Sequence, residues 1–355
     1  MVTENKLRIL LLGDSRSFKL ESYVPELRRQ DCEVLLTSIE NGTMEHFQLK
    51  RVGPIGQLHY TLAVPELRKL ISRYRPDVVD AHDANYGYMA AMALKNSLIP
   101  FSVCLLGPDI VIVPKKSILH RLKTVFALRR ADAVVADSQY LLGEAKKLSP
   151  LKLTMVAPFG IEERYLRFHK LDYTVSRPLK IIVPRHQEKV YNNEFILKSL
   201  APLLKAGSIT LTFADFGSMA GRLKSKVREW DCPNVQFYKR MERELFLRFM
   251  SGHDVYLSAA LTDSSPVSLI DAMAMGLIPV IADTPGVKEW LEESHALTFL
   301  QNNSNALVAV INRILENKVV PEIRSQNLLH VRQNALFEKY VAARINLLKR
   351  LAGHL

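Results

Sequence analysis

Short apolar runs alternating with longer stretches of helical spacing set the rhythm of the first half of the chain. Positions 7–12, 33–38, 78–81, 101–105, 133–136 and 154–157 read as buried strands. Between them, 22–30, 64–74, 88–98, 118–130 and 140–148 carry apolar residues at helical intervals. Strands and helices alternating at this spacing predict a parallel sheet covered on both faces. A polar, proline-terminated stretch over 172–179 then interrupts the pattern and is a candidate linker. The rhythm restarts with strands at 180–184, 210–214, 235–238, 255–258 and 279–282. After them, 327–351 is a long helical pattern with no following strand. The expected architecture is therefore α/β: one open domain over 1–171, a second over 180–326, and a helical tail over 327–355 that is a candidate to cross back to the first.

Composition narrows this picture little. At 355 residues two domains are the default, and 48% hydrophobic with 24% charged residues is ordinary for a globular protein. Cys32, Cys104 and Cys232 lie far apart without metal-ligand spacing, which fits reduced thiols in a reducing compartment. The N-terminus MVTENKLRILLLGD lacks the features of a signal peptide, and no apolar run approaches the ~20 residues of a membrane helix. A cytoplasmic protein is the expectation. The net charge of +12 asks for an anionic partner. Charge alone suggests nucleic acid, but no aromatic–basic interleaving or known module supports it, and nucleic acid is not expected as a partner.

In open parallel sheets ligands bind beyond the carboxyl ends of the strands, so the residues just after each strand carry the candidate chemistry. The most informative stretch is DVYLSAALTDSSPVSLIDAMAMGLIPVIAD. Ser265 stands at an N-cap position, Pro266 in the first helical turn, and Gly276 where a left-handed residue would end the helix. The helix between is apolar almost all round and should be buried. Asp271 on it needs a specific partner, either a ribose diol or a structural hydrogen-bond network. The N-terminal turn, from Ser264 and Ser265 through Val267 to Ser268, offers unpaired N–H groups and a positive dipole end, a ready phosphate site. Asp263 falls in the loop before it, and capping alone does not account for both acids.

This segment resembles the E-x7-E region of retaining glycosyltransferases of family 4, or group 1, with Asp263 and Asp271 at the two glutamate positions. The words TDSSPVSLIDAMAMGLIPVIADTPGVKEWL also resemble a branch of that family reading roughly SDGTPVSLLEAMACGLPVV. IIVPRHQEKVYN resembles the family's phosphate-binding stretch, with Arg185 at the arginine position and Lys189 near the lysine; Tyr191 and Asn192 are the alternative there. Gly217 sits in a turn similar to the one the family places beside the base or ribose. The resemblance implies the GT-B fold, two Rossmann-like domains facing across a cleft. It implies transfer of a sugar from a UDP or GDP donor to a glycan or lipid-linked acceptor with retention. Arg185 would hold the diphosphate, Asp263 would orient sugar hydroxyls, and Asp271 would bind ribose. No Asp-x-Asp loop or His/Cys cluster suited to a metal is apparent, so metal-independent transfer without a resident cofactor is expected.

The chain also departs from the family. After the first strand it has Gly13 and Asp14 but no glycine pair, and CLLGPDI places Leu106 where many relatives carry histidine, keeping Gly107 and Asp109. His82 is a candidate cleft residue, although a lone strand-end histidine is more often structural. These departures keep open a non-catalytic subunit of the same fold; a sugar-nucleotide 2-epimerase shares the architecture as well. Finally, KKSILHRLKTVFALRR, residues 115–130, carries six Lys or Arg and no acid. Its stripe of Ile118, Leu119, Leu122, Val125 and Phe126 is expected to pack on the sheet beneath a solvated basic face, and its basic residues are candidates to attract an anionic membrane surface, readings that are partly compatible.

Overall fold

The computed structural model describes residues 6–51, 58–172, 174–264, 267–291, 296–317 and 322–354. The chain forms two compact units, Met1–Phe159 with Glu338–Leu355, and Gly160–Phe337. Among the described residues the first unit holds a seven-stranded sheet in the order β3-β2-β1-β4-β5-β6-β7. Its strands are β1 (Leu7–Leu12), β2 (Cys32–Ser38), β3 (Phe47–Gln48), β4 (Val78–His82), β5 (Phe101–Cys104), β6 (Ala133–Ala136) and β7 (Leu153–Val156). The second holds six strands in the order β10-β9-β8-β11-β12-β13. These are β8 (Leu179–Val183), β9 (Ile209–Ala214), β10 (Val235–Tyr238), β11 (Val255–Ser258), β12 (Ile278–Ala282) and β13 (Leu297–Phe299).

Every strand pairing among the described residues is parallel. That follows from strands buried on both faces: β4, β5, β6, β11 and β12 have no exposed position. Each strand order reverses once, beside β1 and β4 in the first unit and beside β8 and β11 in the second. Those are the switch points at which loops diverge and leave room for a ligand.

Residues 160–171, expected with the first domain, lie in the second unit. The chain there is tied to its neighbours: His169 Nδ1 lies 2.8 Å from the Ala274 carbonyl, and Lys170 Nζ lies 2.6 Å from Asp254. The buried Asp254 carboxylate also accepts from Ser176 N and Lys180 N, so the expected linker is pinned to the unit it precedes. The tail differs as well. Two helices, Glu322–Asn334 and Phe337–Ala352, replace one continuous pattern. The break lies where Ile161 N donates to the Ala335 carbonyl and Phe337 N donates to that of Ile161. A side chain at Gly160, whose φ is +73°, would collide with the Ala335 oxygen. Beyond the break, residues from Glu338 onward belong to the first unit. Arg344 is fully buried there and donates to Asp80 in β4.

Candidate functional site

In the second unit the switch point gathers the loops after β8 and β11. Arg185 follows β8 by two positions, and its guanidinium lies 2.7 Å from the Asp263 carboxylate in the loop after β11. Its Nη1 donates to Ser268 Oγ at 3.0 Å, and Ser268 Oγ is 3.1 Å from the Tyr256 hydroxyl. The guanidinium also sits 4.3 Å over the ring of Tyr191. Its buried Nε has no hydrogen-bond partner among the described residues. A cation held by one carboxylate, with a donor left over, is suited to an anion.

Glycines and amides set the loop positions. Gly217, at φ +116°, lies where a Cβ would be 2.6 Å from the Gln187 backbone. Gln187 N donates to the Phe216 carbonyl, and the Gln187 side chain donates to that of Ala214. Asn193 Nδ2 donates to the carbonyls of Arg185 and His186 and to Gln187 Oε1. On the other side, a Cβ at Gly286 would be 1.9 Å from the Asp263 carbonyl oxygen, so the 285–291 helix presses directly on this loop. Gln187, Asn193 and Gly286 escape sequence reading because each acts through another residue's backbone. The proline-glycine pair at 285–286 is the one available signal.

The helix after β11, Val267–Ala274, is buried as its composition predicts, and Gly276 ends it at φ +81°. Val267 and Ser268 are half-buried in its first turn, and Ser264 is buried ahead of it with its N–H on Asp263 Oδ1. Ser265 and Pro266 lie outside the described residues. Lys189 is exposed on a short turn, so the aromatic Tyr191, rather than this lysine, packs on Arg185.

Asp271 finds its partner within the protein. Both of its oxygens accept from Arg243, at 2.6 and 2.5 Å, and it is 2% exposed. Burial pushes the Asp271 carboxyl up and the adjoining guanidinium opposes that shift. Of the two sequence alternatives, the structural network is present; each oxygen retains a lone pair for a further donor.

The first unit's switch point brings Gly13 and His82 together. A Cβ at Gly13 would stand 3.4 Å from His82 Cβ and 2.6 Å from Leu20. His82 is 4% exposed, and its Nε2 lies 3.3 Å from Asp80. Burial, opposed by Asp80, holds its pKa below the ordinary value. Asp80, which contacts the histidine, also accepts from Ser102 and Arg344, so the ring belongs to a buried polar network. Asp14 is chelated by its near neighbour Arg16 at 2.9 Å. Asp109 accepts from Ala84 N and Leu106 N, tying the ends of β4 and β5 together.

Sequence reading missed Asp83. It caps the Ala84–Ala93 helix through Asn85 N and Tyr86 N from an unusual backbone, φ 84° and ψ 163°. Burial first, and the Asp109 carboxylate next, push its pKa up to about 7.

Residues 174–329 match the family model for group 1 glycosyl transferases, and 8–138 match that for glycosyl transferase 4-like domains. The amylovoran biosynthesis glycosyltransferase AmsK of Erwinia amylovora is 23% identical over 96% of this chain and 85% of its own. The putative teichuronic acid biosynthesis glycosyltransferase TuaC of Bacillus subtilis is 25% identical over 78% of this chain and 70% of its own. Among solved structures, sucrose-phosphate synthase of Thermosynechococcus elongatus superposes with a TM-score of 0.83 at 15% identity, covering 99% of this chain and all of that one. HepE of Anabaena, in complex with UDP and glucose, gives 0.80 at 17% identity over 97% of this chain and 100% of its own. With its two parallel-sheet units and the two matched models, the chain belongs to the group 1 glycosyltransferases of the GT-B fold.

Proposed function

We propose that the protein transfers a sugar with retention from a UDP or GDP donor to a glycan or lipid-linked acceptor, without a metal. The observation that carries this reading is Arg185, held by Asp263 and Ser268 at the second switch point with an unused donor. The departing diphosphate carries the negative charge that develops in the transition state. A guanidinium and a helix N-terminus aimed at it lower the barrier without reorganising. In this account Ser264, Val267 and Ser268, with the sequence-expected Ser265 and Pro266, receive the phosphates, and Lys189 assists them. Asp263 orients sugar hydroxyls, Asp271 shares a lone pair with the ribose, and Gly217 lets that group approach the backbone. Gly13, Asp14 and Asp109 line the acceptor side, with His82 as their buried support. UDP in the HepE complex favours a nucleoside-diphosphate donor, and the amylovoran and teichuronic acid relatives favour a glycan acceptor.

The test is release of nucleoside diphosphate from a panel of donors in the presence of EDTA, with the product anomer read by NMR. Turnover in EDTA with retained configuration is expected. Complete loss restored by magnesium or manganese contradicts the metal-free account, and an inverted product contradicts retention.

A further inference from the structure

We propose that the outward face of the Ile118–Arg130 helix docks the protein reversibly on an anionic lipid bilayer. The helix packs inward through Lys123, Thr124, Ala127 and Leu128, with Val125 and Phe126 half-buried beside them. They meet the Ala84–Ala93 helix, where Gly87 brings the backbones close; a Cβ there would be 3.5 Å from that of Ala127. Lys123 lies 5.1 Å over the ring of Tyr88, and Phe126 meets the same ring edge-on at 6.0 Å. Three large apolar residues in its N-terminal half face the other way. Ile118 is 72% exposed, Leu119 51% and Leu122 60%. Leu58 and Leu62, also exposed, stand on a short helix whose Thr61 reaches the hydroxyl of the same Tyr88.

A surface helix ordinarily turns its apolar residues to the core, and this one buries Leu128 but leaves Ile118, Leu119 and Leu122 in solvent. Single exposed leucines need no explanation, whereas a cluster of them is a binding surface. Charge identifies the partner. At about 100° per residue, Ile118, Leu122 and Arg129 fall on one side of the helix, with Arg121 flanking them. Lys115 and Lys116 lie just ahead, Lys115 answered by Glu144 at 3.4 Å. No acid occurs from Ile110 to Ala131. Apolar side chains interleaved with lysine and arginine fit the boundary between acyl chains and anionic headgroups, as in helices that lie in the membrane plane. No helix among the described residues is long and apolar enough to cross a membrane, so attachment through this face lies on the bilayer. The proposal does not depend on which donor or acceptor the transferase uses.

The experiment is co-sedimentation of the full chain with vesicles of phosphatidylglycerol mixed into phosphatidylcholine, and of phosphatidylcholine alone, at low and high salt. Binding to the anionic vesicles, lost at high salt, is expected. The pair Leu119→Ser and Leu122→Ser, and separately Lys116→Gln with Arg121→Gln, should each weaken it at least about tenfold. Unchanged melting temperatures show that these variants fold. Equal partition to both vesicles, binding to neither, or indifference to both pairs of substitutions overturns the proposal. A dimer abolished by the leucine substitutions, without vesicle binding, overturns it in favour of a second copy of the chain.

Discussion

Arg185 owes its place to long-range geometry, and the sequence singles it out only through the resemblance of IIVPRHQEKVYN to the family's phosphate-binding stretch. Its loss should cost turnover more than fold. Arg185→Ala removes a contact worth on the order of 2–4 kcal/mol to the transition state, a fall of roughly thirtyfold to several hundredfold in kcat/KM. Since Asp263 then loses its cation, Arg185→Lys is the companion variant, keeping charge but not the fork. Steady-state kinetics beside melting temperatures check this; unchanged kcat/KM in both variants would leave Arg185 a structural ion pair. Asp271 is legible as an acid needing a partner, but Arg243 is not, because it lies 28 positions away on another helix. Asp83 is a second residue that pattern does not reveal, since its raised pKa arises from burial and from Asp109, met across two strand ends. An acid whose folded pKa of about 7 exceeds its unfolded value of about 4 favours folding while protonated. Stability should therefore fall as pH rises from about 4 through about 7 and level off above. Asp83→Asn, which keeps a capping oxygen and tolerates positive φ, should relieve that loss by about 2 kcal/mol at pH 8 and little at pH 4. Parallel stability curves for wild type and variant across that range would refute it.

Periodicity predicts most of the elements, and where the structure differs the causes are physical. Strands β1, β6, β10 and β11 lie where the apolar runs place them. Strands β3 and β13, two and three residues long, are too short to show a pattern. The Ala84–Ala93 helix begins four positions before its expected start at 88 because Asp83 caps it, a signal carried by a side chain rather than by spacing. The helix over 118–130 has the expected bounds, but Ile118, Leu119 and Leu122 of its stripe face outward. Which side is buried depends on Gly87 and Tyr88 of its neighbour. The C-terminal helix is held by Arg344, wholly buried on Asp80, whose carboxyl the guanidinium keeps low against the penalty of burial. Arg344→Met strands a buried carboxylate and should cost about 3–5 kcal/mol. Adding Asp80→Asn should return part of that stability. Urea unfolding midpoints decide it, and a double variant less stable than Arg344→Met would show that the pair is not coupled in this way.

At the scale of the molecule, α/β alternation and the words around Asp263 and Asp271 made the architecture and the family legible. Sheet order, and with it the two switch points, was not, because periodicity says which segments are strands and nothing about which strands adjoin. The same gap hid the division of the chain at Phe159, which follows from contacts of His169 and Lys170 with a helix and a loop a hundred or so positions on. The proposed function has the second unit hold a nucleoside-diphosphate sugar through Arg185. The most direct measurement is a thermal-shift titration of wild type and Arg185→Ala with UDP-, GDP- and ADP-sugars, since a ligand bound only by the native state raises the melting temperature. A UDP- or GDP-sugar is expected to stabilise the wild type in a dose-dependent way, with the shift largely lost in the variant. Wild type indifferent to every donor, or a variant that responds as fully as wild type, would contradict it.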